Sequence, residues 1–93
     1  MVFTPLAKRD LSDIWNYTNN QWGAKQADNY VRELYAAIER HREEPFLAKD
    51  ISDVRSGYRK FLSGSHVTFF QQDKRVINVI RILHKSMDFD RHL

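Results

Sequence analysis

Three stretches decide the fold: Arg55-Ser56-Gly57-Tyr58-Arg59-Lys60-Phe61, then Gly64-Ser65-His66-Val67-Thr68-Phe69-Phe70, then Ile80-Arg81-Ile82-Leu83-His84-Lys85-Ser86-Met87-Asp88. Polar and apolar residues alternate with a period of two, while Gly64-Ser65 and Asp73-Lys74 read as tight turns. Strands are therefore expected over 58–63, 66–72 and 75–84. Strict alternation in the last strand puts Val76, Asn78, Ile80 and Ile82 on one face. Ile77, Val79, Arg81 and Leu83 fall on the other, and a strand apolar on both sides is expected to be covered on both. The basic residues set among these apolar ones point to an anionic partner, either a nucleic-acid complex or an acidic polypeptide.

Working back from the sheet, residues 45–56 read as the one sizeable loop. Before it, Ala27, Tyr30, Val31, Leu34, Ile38 and His41 recur at helical spacing, predicting a helix over about 24–43 that Pro45 stops. Ala7, Leu11, Ile14, Trp15, Thr18 and Trp22 form an earlier stripe, with Thr4 as a capping hydroxyl and Pro5 where its missing N–H costs nothing. The single-residue break at Gly23 predicts an antiparallel helical hairpin. Residues 1–4 add a short strand. The order β-α-α-β-β-β gives a two-layer α+β domain spanning 1–93, its helical hairpin packed on a mostly antiparallel four-stranded sheet. One sheet face is expected to remain partly open, carrying the basic residues.

Ninety-three residues suffice for one core, burying about 65% of the chain's surface without staples. The absence of cysteine excludes disulfides, a thiol nucleophile and thiolate metal sites. The net charge of +3 is unevenly spread. Residues 1–48 hold six Lys/Arg against seven Asp/Glu, and residues 49–93 hold nine against five. No apolar run nears the ~18 residues that span a bilayer, and no signal peptide is evident, so a cytoplasmic protein is expected.

His66 and His84, with Arg81 nearby, are conceivable as a general acid–base pair; the plainer reading is two structural histidines bonded to backbone. No metal-ligand spacing occurs among the histidines and carboxylates, so neither metal nor cofactor is expected. Arg59, Lys60, Arg81 and Lys85 form a basic cluster. Arg59 and Lys60 point to opposite faces, so only one of them shares a surface with Arg81. Such a cluster serves equally as an anion receptor or as edge charges that discourage aggregation. Most aromatics lie on the core stripes, whereas Tyr17 and Tyr35 fall off them and suit partner contact. Asp10 and Asp13 read as solvated helix charges. Spacing alone supports no catalytic residue and no enzyme.

In order and spacing, the chain resembles the ParE branch of the ParE/RelE toxin superfamily over nearly its full length. The resemblance is carried by Leu6-Ala7-Lys8-Arg9-Asp10-Leu11 with Ile14-Trp15, and by Trp22-Gly23 with Gln26-Ala27. It continues in Arg55-x-Gly57-Tyr58-Arg59-Lys60-Phe61, Gly64-Ser65-His66-Val67 with Phe69-Phe70, and Val79-Ile80-Arg81-Ile82-Leu83-His84-x-x-Met87-Asp88. It implies the toxin of a type II toxin–antitoxin module that poisons DNA gyrase, blocks replication and is neutralised by a ParD-like antitoxin. RelE-like relatives instead cleave mRNA on the ribosome. Here Ser86 stands where that branch has an arginine, and no tyrosine follows Tyr58, which favours the gyrase branch. The resemblance implies an antitoxin-binding surface at Tyr17, Tyr35, Arg59, Arg81 and His84, and target contact through Arg59, Arg81, Lys85 and Met87. Residues 87–93 are expected either to reach the target or to pack back onto the sheet.

Overall fold

A computed structural model describes all residues, Met1–Leu93. β1 (Val2–Phe3) leads into α1 (Pro5–Trp22) and α2 (Ala24–Glu43). β2 (Lys49–Asp50), β3 (Arg59–Ser63), β4 (His66–Asp73) and β5 (Val76–His84) follow. The sheet order is β1-β5-β4-β3-β2, with β1 parallel to β5 and all other pairs antiparallel. The sheet thus has five strands rather than the expected four. The extra one lies inside the expected loop, where Lys49 and Asp50 pair with Lys60 and Arg59. Two residues leave no periodicity to read.

The helix start is as the sequence indicates. Thr4 Oγ1 accepts the Ala7 amide at 3.1 Å and donates to the Ile80 carbonyl at 2.7 Å, tying the cap to the sheet. Gly23, at φ +94°, turns the chain between the two helices in one residue. The hairpin lies on one sheet face, enclosing Ile14, Leu34, Ile38, Phe61, Phe70, Ile77, Val79 and Ile82.

The last strand departs from strict alternation. Phe70 pairs with Val79 but Phe69 pairs with Arg81, so Ile80 is a bulged extra residue. Beyond it the faces exchange. Ile82 joins Ile77 and Val79 under the helices, whereas Leu83 turns to the opposite face with Val67, Phe69 and Ile51. That second face is apolar and covered, not open and basic. The C-terminal segment folds back over it, with Phe89 edge-on to Phe69 at 4.8 Å and Leu93 packed beside it. Two arginines hold the segment by its carbonyls: Arg81 Nη1 donates to His92 and Arg55 Nη2 to Leu93. No helix is long and apolar enough to cross a membrane.

Candidate functional site

β1 runs beside β5 only as far as Val79, and α1 then crosses above the strand. Past that point the edge of β5 has no neighbouring strand, and a cleft of about 660 Å³ opens between α1, the start of α2, the β3–β4 turn and the end of β5.

At one end of the cleft Asp10 substitutes for the missing strand. Its Oδ2 accepts the Ile82 amide at 2.9 Å, and its two oxygens take Arg81 Nε and Nη2 at 2.8 and 2.9 Å. Such a bidentate pair is both strong and geometrically fixed. Asp10 is buried, unlike the solvated charge expected from sequence. The signal was available: Ala7, Asp10, Ile14 and Thr18 fall on one buried stripe, so this carboxylate lies on the core face of α1.

At the other end Gly64, at φ +59°, brings the β3–β4 turn against Tyr30 so closely that a Cβ would lie 2.7 Å from the phenol oxygen. The Tyr30 oxygen accepts the Ser65 amide at 2.9 Å and lies 2.6 Å from His66 Nδ1. His66 is pushed from its ordinary 6.5 down to about 4, first by burial and then by the neighbouring His84, with Asp10 opposing. His84 Nδ1 meets both the amide and the hydroxyl of Ser86. His66 is thus held by a side chain, whereas His84 meets a backbone amide, as the plainer reading expects, and a hydroxyl besides. Between the two ends stand Tyr17 and Trp22, 61% and 67% exposed, their rings 6.4 Å apart. Trp22 was expected in the core, but as the last residue of α1, at the tip of the helical hairpin, it stays mostly exposed.

Of the residues singled out from sequence for binding or chemistry, the cleft gathers Tyr17, His66, Arg81, His84 and Met87. Arg81 is committed to Asp10. Tyr35 lies elsewhere, against Phe3 at 5.5 Å. Arg59 sits at the far sheet edge, over the Phe46 ring at 5.6 Å and donating to the Ala48 carbonyl. Lys85 is exposed beyond β5 and outside the cleft lining. Lys60, not Arg59, shares a face with Arg81, since both pair across to Phe69. Sequence reasoning missed Asp10, Tyr30 and Trp22. Tyr30 had been placed on the core stripe, which gives no sign that its hydroxyl reaches a turn 35 residues away.

Comparison with known proteins gives this geometry a family. The family described as ParE toxin of type II toxin-antitoxin system, parDE, matches residues 1–89. Toxin ParE1 of Caulobacter vibrioides is 47% identical over 87 residues, covering 94% of this chain and 90% of that protein. Toxin ParE1 of Mycobacterium tuberculosis is 40% identical over 93 residues, covering 99% and 95%. A solved structure titled "Chromosomal ParDE TA system from P. aeruginosa" shares the fold, with a TM-score of 0.72 at 17% identity over 88% of this chain and 90% of that one. Two helices on a mostly antiparallel sheet, with sequence agreement along nearly the whole chain, place this protein in the ParE toxin family of type II toxin–antitoxin systems.

Proposed function

We infer that this chain poisons DNA gyrase by binding it, without bond-breaking chemistry of its own, and that a ParD-like antitoxin neutralises it in the cytoplasm. The observation that carries the reading is the state of the cleft's ionisable groups. Ribonucleolytic cleavage needs a free cation for the phosphate and an acid–base pair near neutrality. Here Arg81 is occupied by Asp10, and His66 is held neutral far below that range. What the cleft does offer is exposed aromatic surface for docking, in Tyr17 and Trp22.

An acidic, amphipathic antitoxin segment that orders as it binds suits this surface. Tyr17 and His84 would meet it in the cleft, and the segment would wrap onto Tyr35 and Arg59. Arg81 supports that surface by shaping it. Met87 on the cleft lining and Lys85, exposed just outside it, would meet the target, with Arg59 on the opposite edge. Induction of the chain alone should stop growth with DNA synthesis failing before protein synthesis, and co-expression of its antitoxin should restore both. Arrest of translation first, with cut messages, would instead support the mRNA-cleaving alternative.

A further inference from the structure

His66 and His84 are directly paired across β4 and β5, with ring centroids 5.4 Å apart. The Lys85 amide donates to the Ser65 carbonyl at 2.9 Å, which makes the histidines a non-hydrogen-bonded pair, the position where facing side chains come closest. Their protons can be placed by hydrogen-bond bookkeeping. The Tyr30 oxygen already takes the Ser65 amide, and directing its own proton to His66 Nδ1 satisfies both groups. His84 Nδ1 receives the Ser86 amide, which can only donate. With that assignment both rings carry their proton on Nε2, where neither makes a hydrogen bond within the chain.

A third donor lies beside them. The main-chain N–H of His84 faces away from β4, and β1 ends too early to meet it. Two residues earlier the same edge satisfies the same need with a carboxylate, that of Asp10 on the Ile82 amide.

We propose that the two Nε2–H groups and the edge amide of His84 form a receptor for one carboxylate from an acidic side chain of the antitoxin. This rests on the antitoxin reading and adds the chemistry the partner must bring: an Asp or Glu flanked by apolar residues that cover Tyr17 and Trp22. Unpartnered N–H donors bordered by exposed aromatics suit such a segment. A polyanionic nucleic acid suits it poorly, because Asp10 neutralises the cleft's arginine and Asp13 adds negative charge at its rim.

Nitrogen-15 NMR of the imidazole rings tests this on the full chain, free and bound to its antitoxin. The free chain should show both rings as Nε2–H tautomers, and the complex should move both Nε2–H protons downfield. His84→Ala, at an exposed side chain that leaves the fold intact, should weaken the complex about tenfold or more. Changing the matching antitoxin acid to its amide should add little further loss. An intact complex whose rings keep their free shifts overturns the carboxylate receptor and leaves the antitoxin reading standing. Absence of any complex overturns both.

Discussion

Asp10 and Arg81, 71 positions apart in the chain, close the free edge of the sheet by sharing one carboxylate with the Ile82 amide. Removing one partner of a buried pair leaves the other charge unmatched. Asp10→Ala should therefore cost about 3–5 kcal/mol, and Arg81→Ala a comparable amount, in urea denaturation. A double replacement by apolar residues of similar volume should cost far less. Loss of toxicity in Arg81→Ala is thus expected to reflect loss of fold, and equal stability of the variant and the parent chain would refute that.

Gly64 and Tyr30 should prove interdependent. Gly64→Ala combines a left-handed backbone at φ +59° with a Cβ 2.7 Å from the phenol oxygen. It should cost at least about 1–2 kcal/mol from the backbone alone. Tyr30→Phe keeps the ring but strips the Ser65 amide and His66 Nδ1 of their partner, which should cost about 1–3 kcal/mol. Thermal unfolding of the two variants measures both effects.

The depressed His66 titration makes stability depend on pH in a definite direction. Folded His66 resists its proton down to about 4, whereas the unfolded chain accepts it near 6.5. Stability is therefore full above about pH 6.5 and falls as the pH drops toward 4, because the unfolded state binds more protons in that window. The whole shift corresponds to about 3 kcal/mol, and partial exposure of the ring reduces it to about 1–2. Compared with His66→Asn across pH 4.5–7.5, the parent chain should lose that extra amount on acidification. Parallel pH profiles for the two would contradict the assignment.

Tyr17 and Trp22 should separate binding from folding. Both are mostly exposed, so alanine at either position should change stability by no more than about 0.5 kcal/mol. Desolvated aromatics at an interface often carry more than 2 kcal/mol each, so antitoxin affinity should fall about thirtyfold or more for Trp22→Ala. Calorimetric titration reads this, and unchanged affinity would remove the cleft from the docking surface.

The layers and helix ends were legible because they rest on local chemistry: the Thr4 cap, the Gly23 break, the Gly64-Ser65 turn and two apolar stripes. What escaped depends on long-range register. A single bulged residue, Ile80, moves Ile82 and Leu83 to the opposite faces from those that alternation assigns, and nothing in the local sequence marks it. β2 is too short to show a period. Asp10 was misread because a carboxylate on an apolar stripe is unfavourable without a partner, and its partner lies on the last strand. The site followed the same rule. Tyr17, His84 and Met87 were found in the cleft, but the Tyr30 contact that orients His66 arises only once the turn is folded against α2.

The most direct test of the account is a cleavage assay with purified gyrase, supercoiled plasmid and the toxin in excess. Protein-linked linear DNA should accumulate after detergent and protease treatment, and prior addition of the antitoxin should abolish it. Plasmid that remains uncut and fully supercoilable, together with messages cleaved on translating ribosomes by the same preparation, would contradict a toxin that acts by binding gyrase.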